Sequence, residues 1–368
     1  MSSAPSSRIL TFDYLRGFFI LIILIDHLWR WPNIFSFISG EGRLWVTAAE
    51  GFVIISGLLV GYIRGYKNRR EPWSMVAGKL LRRAGVLYLW SVITTIVFTG
   101  SFWLFFLQGS HGAMPYVSLS NNDWPLLIKS ALTLEYAHIW TFFLHLYTIF
   151  LILGIPVIVL LRRQLWWLVI LLSGALWTVG IWLQVEWLIW QILFFLPATA
   201  GYHLEAIRRF LTGLSLSMRR SLKVSVLCFT VLSMFVSMLI EFHGNTLQTA
   251  LSWTPAIYMQ FTHTTQSLFS HEARSFAWVM VSFIWFIAFY MLFQAALPWL
   301  QRWLGWLLEP FGTRSLTAYI LHGVPMVVTL YIFVNSTNIW LNSLLTLANI
   351  LATWALVESR WLQKIIPR

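Results

Sequence analysis

Charged residues and cysteine are both scarce in this sequence. Only 10% of its 368 residues are charged and 58% are hydrophobic, whereas a soluble domain carries roughly 25% charged residues. So few charges cannot cover the surface of a soluble chain of this length. The single Cys228 excludes an intrachain disulfide scaffold, and an aromatic fraction of 17% argues against disorder. The composition therefore predicts an integral membrane protein.

Long apolar runs recur along the chain, and a helix needs roughly 20 apolar residues to cross the hydrocarbon layer. We predict an all-α polytopic helical bundle of about ten transmembrane helices, in one domain covering residues 1–368. Residues 101–138 contain two further apolar runs, which we interpret as interfacial or re-entrant pieces. The predicted spans are 10–31, 44–63, 80–99, 139–161, 165–186, 187–207, 224–241, 275–298, 315–335 and 339–358.

The 25 Lys and Arg residues, which give a net charge of +12, set the orientation. If both termini are cytoplasmic, most of them fall on the cytoplasmic side, as the positive-inside rule requires. The outer side then holds only Arg30, Arg43, Lys129 and Arg274. The positive charge is thus explained by topology, and we expect no nucleic acid partner. Two outer segments, 100–138 and 242–274, are polar and aromatic, which suits either a sugar-like partner or plugs between helices.

Ionisable residues cluster inside the first span, where they are costly and indicate function. Arg16 and His27 are eleven residues apart, which at about 100° per residue places them on one helix face, about 16 Å apart along the axis. A cation followed by an apolar stretch and an imidazole suits an elongated anionic ligand. The alternative is that Arg16 pairs with Asp13 and that His27 lies at the interface.

Glu50 in the second span is predicted to lie at the same depth as Asp26 and His27. A carboxylate bonded to one imidazole nitrogen orients the ring and raises its basicity, so we predict His27, Asp26 and Glu50 as a catalytic group. Glu50 could instead make only a structural hydrogen bond. The same three residues would also fit a proton relay in a transporter or flippase.

Basic residues at the start of the third span form a candidate phosphate site. Lys79, Arg82 and Arg83 share a helix face, and guanidinium groups match phosphates well, although topology alone also explains them.

Five further polar residues are candidate lining residues of a substrate site. His138 and His145 are spaced for one helix face, and no carboxylate or cysteine spacing supports a metal there. A lone histidine in a helical bundle, such as His322, is more often a hydrogen-bonded core residue than a catalyst. The candidates are His138, His145, Tyr147, Gln191 and His322.

These residues resemble the membrane acyltransferase-3 superfamily, and most closely its OpgC branch, which modifies osmoregulated periplasmic glucans. The resemblance rests on an ordered set of segments that touches most of the chain. They are FDYLRGFFILIILIDH, AAEGFVIISGLLVGY, KLLRRAGVLYL, LHLYTIFLILGIPVIVLLRR, WQILFFLPATAGY and FGTRSLTAYILHGVP.

The resemblance implies an O-acyltransferase of the bacterial inner membrane. It would move a succinyl or acetyl group from cytoplasmic acyl-CoA, without a metal, to a hydroxyl of a periplasmic glucan or other glycan. It makes His27 the base, assigns the coenzyme to Arg16, Arg82 and Arg83, and places Glu50 at an acidic position. The chain departs from the family where an Arg-x-x-Arg reads Lys79-x-x-Arg82. Ser56 is a candidate nucleophile if the reaction passes through an acyl-enzyme.

Overall fold

The computed structural model describes residues 9–107, 118–120, 122–270, 273–333 and 336–366, and within these ranges it contains helices and no strands. The all-α class is therefore confirmed for the described residues. After Val60 the third helix continues as a π-helical turn over Gly61–Lys67. The helices of the first half are α1 (Leu10–Leu28), α2 (Ser36–Ser39), α3 (Ala48–Val60), α4 (Trp73–Leu107), α5 (Trp124–Leu132), α6 (Phe142–Arg162), α7 (Trp166–Leu183), α8 (Glu186–Trp190) and α9 (Ile192–Tyr202).

The second half continues the same architecture, with long apolar helices separated by short ones. The helices are α10 (Leu204–Gly213), α11 (Leu216–Ala250), α12 (Pro255–Phe269), α13 (Phe276–Trp303), α14 (Gly305–Thr313), α15 (Ser315–Leu321), α16 (Gly323–Ile332), α17 (Ile339–Glu358) and α18 (Leu362–Ile365).

Eight helical stretches among the described residues are long and apolar enough to cross a bilayer, which makes the chain a multi-pass membrane protein. Each corresponds to one of the predicted spans. The other two predicted spans, 10–31 and 187–207, are not among the eight stretches. The 19-residue α1 carries Asp13, Arg16 and Asp26, and the span 187–207 is divided between α8 and α9 at Gln191. The eight stretches are Ala48–Lys67, Trp73–Leu104, Ile139–Arg162, Trp166–Leu183, Leu216–Phe242, Phe276–Trp303, Ser315–Ile332 and Ile339–Glu358.

The two additional apolar runs predicted within 101–138 belong to two different helices. The first is the end of α4, which extends to Leu107. The second forms the short helix α5, whose N-terminus is capped by the side chain of Asp123. Residues 108–117 and 121 lie outside the described residues, so the part of this prediction that falls on them stays a prediction.

Glycine residues allow two pairs of helices to touch backbone to backbone. Gly17 of α1 faces the carbonyl of Leu308 in α14, and Gly312 faces α1 in return. Gly57 and Gly61, on α3 and the turn that extends it, face α9 in the same way. Close approach of this kind is how membrane helices gain packing energy where lipid is as apolar as a side chain. Helix α1, which carries the ionisable residues, is thereby held in a fixed position.

The predicted ninth span is interrupted at His322, between α15 and α16. Pro325 lies three residues further on and has no backbone N–H to donate to the carbonyl of Leu321. The break places the fully buried side chain of His322 at the junction of two short helices, beside the outer end of α1.

We expect Gly57→Ala to weaken the bundle. A Cβ at this position would lie 2.0 Å from the carbonyl oxygen of Phe194, so α3 and α9 must separate. Overpacking of this kind costs about 1–3 kcal/mol. Thermal melting in detergent measures the loss. Gly85→Ala is the matched control, because a Cβ there meets nothing within 4 Å. Equal melting temperatures for the two variants would contradict the role of this helix contact.

Candidate functional site

A chain of two hydrogen bonds links His27 to the backbone. Nδ1 of His27 lies 2.8 Å from Nε2 of His322, and Nδ1 of His322 lies 2.6 Å from the carbonyl oxygen of Tyr319. The two imidazole rings are 5.0 Å apart and come from α1 and the α15–α16 junction. The partner of His27 is therefore a second histidine, and the expected carboxylate is not bonded to it.

The direction of these hydrogen bonds fixes the tautomers of two neutral imidazoles. A carbonyl oxygen only accepts, so Nδ1 of His322 must carry the hydrogen and its Nε2 must be the acceptor. His27 then donates from Nδ1 to His322, which leaves the lone pair of His27 on Nε2. This second nitrogen makes no hydrogen bond to any described residue. His27 is thus arranged as a proton acceptor.

Aromatic side chains pack around the His27–His322 pair. The indole N–H of Trp140 donates to the carbonyl of His27 at 3.2 Å, and the Tyr319 ring lies 6.3 Å from the His27 ring. His138 is fully buried and stacks on Phe102 at 5.3 Å. His138 precedes a short 3-10 turn and is not on α6, so the prediction that it shares a helix face with His145 is wrong.

A cavity of about 640 Å³ opens beside His27. We name it the outer cavity, since it lies at the end of α1 away from the basic clusters. Its lining combines carboxylates, one guanidinium, an amide, hydroxyls and large aromatic rings. The residues are Ile23, Asp26, His27, Trp29, Glu41, Gly42, Arg43, Thr47, Ala48, Ala49, Ile139, Trp140, Phe142, Phe143, Trp190, Glu241, Gln266 and Ser270.

Asp26 lines the outer cavity, but in the described part of the chain it makes no hydrogen bond to the His27 ring. The side chain of Ser39 and the backbone of Gly42 lie near its carboxylate. Glu41 lies near it and pairs with Arg43 at 3.0 Å. Burial raises the pKa of Glu41, and the neighbouring guanidinium of Arg43 opposes that rise. A pair of nearby carboxylates thus faces the cavity beside the candidate base.

Glu50 is completely buried and occupied elsewhere. It accepts hydrogen bonds from the backbone and hydroxyl of Thr47, at 2.8 and 2.6 Å, and from the indole of Trp278 at 3.1 Å. Together with Thr47 it forms a capping box at the start of α3. The structure does not bring Glu50 into contact with His27, so Asp26, His27 and Glu50 do not form one connected relay.

The residues predicted to hold an anion lie on the other side of His27. Arg16 donates to the hydroxyl of Ser315, and its guanidinium lies 5.8 Å from the Phe52 ring. Arg83 lies 5.8 Å from the ring of Tyr147. Arg16 and Arg83 thus both contact aromatic rings of one narrow pocket, of only about 10 Å³, which is lined by Phe52, Val53, Ser56, Phe143, Leu146, Tyr147, Phe150 and Phe194.

Like Arg83, the other two predicted anion-binding residues are exposed. Arg82 is exposed, and Lys79 forms an ion pair with Glu71 at 2.7 Å.

The remaining candidate lining residues are placed outside the outer cavity. His145 is buried on α6, with its ring 6.5 Å from Phe142. The amide of Gln191 exchanges two hydrogen bonds with Ser173, at 2.7 and 2.8 Å, and so joins α7 to the break between α8 and α9. Among the described residues no three His, Cys, Asp or Glu side chains come together in a way that could hold a metal.

Several residues at the site were not identified by sequence reasoning. Ser315 and Tyr319 precede His322 by seven and three residues, so this spacing on one helix was an available signal. No comparable signal marked Trp140, Glu41 or Arg43. They reach the site through loops whose path depends on tertiary contacts.

Comparison with known proteins identifies the family. The chain matches the family described as OpgC protein over residues 8–364, and it belongs to that family. No curated protein and no solved structure matches the chain. Membership supports a membrane protein of an acyltransferase type and agrees with the resemblance noted in the sequence.

We expect Glu50→Ala to lower thermal stability. The substitution removes the Glu50 half of the capping box of α3 and leaves the buried indole N–H of Trp278 unpaired, which costs about 1–3 kcal/mol. Thermal melting in detergent measures the change, and Glu135→Ala is the control because Glu135 is exposed. An unchanged melting temperature combined with lost activity would instead give Glu50 a role in the chemistry.

Proposed function

We propose that this chain is a membrane O-acyltransferase that moves an acyl group from acyl-CoA to a hydroxyl of a glycan, with His27 as the general base. The observation that carries the proposal is the bond from His27 to His322, which leaves Nε2 of His27 as an acceptor beside the outer cavity. Family membership supports the class of reaction.

The chemistry that follows needs one proton acceptor. A glycan hydroxyl in the outer cavity gives its proton to Nε2 of His27 as its oxygen attacks the thioester carbonyl carbon. The carbon–sulfur bond of the tetrahedral intermediate then breaks, and the departing thiolate takes the proton from His27. The products are an acylated glycan and coenzyme A with a free thiol. His322 keeps the ring of His27 in place throughout, because its acceptor nitrogen stays bonded to Nδ1 of His27.

The coenzyme approaches from the side of Arg16 and Arg83. Guanidinium groups suit its phosphates, and the line of aromatic rings from Tyr147 to Phe52 leads from Arg83 toward Arg16. We assign Arg82 and Lys79 to the outer part of the same phosphate site. The pocket along this line is narrow, so the pantetheine arm must displace Phe52 or Phe143 to reach His27.

The acceptor binds in the outer cavity, where aromatic rings such as Trp29 and Phe142 can stack on sugar rings and carboxylates can accept from hydroxyls. The transferred group is succinyl or acetyl, and the acceptor is a periplasmic glucan or a related envelope glycan. In this proposal ten spans cross the inner membrane with both termini in the cytoplasm. Helix α1 and the α8–α9 pair are the two spans that bring the eight long ones to ten.

The test is acyl transfer by the purified protein in proteoliposomes, using succinyl-CoA and acetyl-CoA with glucan oligosaccharides. We expect His27→Ala to lower the rate by about 10²–10⁴-fold, since a general base contributes that much. His145→Ala is the control, because His145 lies outside the outer cavity. Mass spectrometry of the glucan and assay of free thiol measure the product. Full transfer by His27→Ala, or transport without acylation, would overturn the proposal.

A second test separates His322 from a purely structural role. We expect His322→Ala to lower kcat by about tenfold or more and leave KM for acyl-CoA nearly unchanged, because only the tautomer of His27 is lost. His322→Gln should restore part of kcat, since an amide oxygen can accept from Nδ1 of His27. Loss of kcat that Gln does not restore, accompanied by a lower melting temperature, would contradict the positioning role.

We expect Arg83→Ala to raise KM for acyl-CoA several-fold through the loss of a charge-assisted contact with phosphate. The same assay at varied coenzyme concentration measures it, with Arg220→Ala as an exposed control. Equal values of KM in the two variants would remove Arg83 from the coenzyme site.

A further inference from the structure

A second polar cavity, of about 250 Å³, lies at the opposite end of the bundle from the outer cavity. We name it the basic-end cavity. It lies where the turn extending α3, the α6–α7 connection and the α9–α10 junction meet, and it shares no lining residue with the outer cavity. Its polar lining comprises Tyr66, Arg69, Gln164, Tyr202, His203 and Arg209.

The two arginines of this cavity are exposed, and among the described residues neither has an acidic partner. The guanidinium of Arg69 lies 4.8 Å from the centre of the Tyr66 ring. Nε of Arg209 donates a long hydrogen bond of 3.4 Å to the backbone carbonyl of Glu205. In the described part of the chain no carboxylate lies within 4.0 Å of either guanidinium. The carboxylate of Glu205 is engaged by Arg208 at 3.2 Å.

The neutral groups of the cavity add hydrogen-bond donors. The Tyr202 hydroxyl accepts from the amide of Gln164 at 2.6 Å, so its own hydrogen is available to another acceptor. Nε2 of His203 is buried and has no hydrogen-bond partner among the described residues. Two guanidinium groups, a hydroxyl hydrogen and an imidazole nitrogen therefore converge in a cavity that contains no acidic side chain. This combination fits a phosphate group.

The surroundings of the cavity are those expected at the level of lipid headgroups. Helix α10 exposes Ile207, Phe210 and Leu211, which form one apolar stripe, while Arg209 lies on another side of the same helix. An exposed apolar stripe beside basic residues is typical of a helix lying in the membrane interface. The ring of Trp166, at the start of α7, lies 5.9 Å from His203, and tryptophan is enriched at that same depth.

We propose that the basic-end cavity binds the phosphate group of an anionic phospholipid. Basic pockets between the cytoplasmic ends of membrane helices suit such headgroups. A soluble phosphate ester would present the same group, so the experiment has to separate the two sources. The proposal does not depend on the acyltransferase reaction, because none of the residues involved contacts His27 or the narrow pocket beside it.

The experiment uses the full chain in nanodiscs of phosphatidylcholine. Phosphatidylglycerol is introduced at increasing fractions and retained lipid is counted by native mass spectrometry. Glycerol 3-phosphate and inorganic phosphate are titrated separately by calorimetry. The test variant is Arg69→Ala/Arg209→Ala. The control is Arg70→Ala/Arg220→Ala, which removes two exposed arginines near the same end that do not line the cavity.

We expect saturable retention of phosphatidylglycerol that is at least about tenfold weaker in the test variant and nearly unchanged in the control, since two charge-assisted contacts are lost. Tyr202→Phe alone should weaken retention of phosphatidylglycerol by a smaller factor. Binding of the soluble phosphates alone, with the same dependence on Arg69 and Arg209, would overturn the lipid as the source. No binding of any probe, or equal loss in both double variants, would overturn the site itself.

Discussion

A polar group within the hydrocarbon layer finds no water, so its partner must be another part of the protein. The state of His27 depends on this constraint. Its Nδ1 is bonded to His322, and His322 in turn is bonded to the Tyr319 carbonyl at the break between α15 and α16. A backbone carbonyl can only accept, so both hydrogen bonds must donate in the same direction, from His27 to His322 and from His322 to the carbonyl. The availability of Nε2 on His27 follows from that single backbone atom.

Close packing of α1 makes this arrangement possible. Gly17 and Gly312 let α1 approach α14 at backbone distance, which fixes the depth and rotation of the helix that carries Arg16 and His27. Arg16 then reaches Ser315 on α15, the same short helix that carries Tyr319. One helix therefore contacts both the predicted anion-binding residue and the predicted base. The proposed donor path and acceptor cavity meet at this pair of helices.

Sequence reasoning identified the main ionisable residues of the site but not their partners. The cost of burying Asp13, Arg16, Asp26 and His27 made them visible as exceptions in an apolar span. Their spacing also gave the order along α1 of a cation, an apolar stretch and an imidazole. Partner choice was different, because the predicted depth made Glu50 a plausible neighbour of His27, whereas no sequence signal marked His322 as its partner. The capping box of Thr47 decided this by engaging Glu50 at the start of α3.

The sequence alone determined the all-α membrane class, most of the long spans and the residues whose burial demands a partner, because hydropathy and charge act locally along the chain. It also indicated the family. Only the tertiary structure decided that a histidine orients His27, that Glu50 caps a helix and that Arg69 and Arg209 converge on one cavity. These outcomes depend on the rotation and depth of helices far apart in sequence, which backbone contacts at a few glycines and one break near Pro325 control.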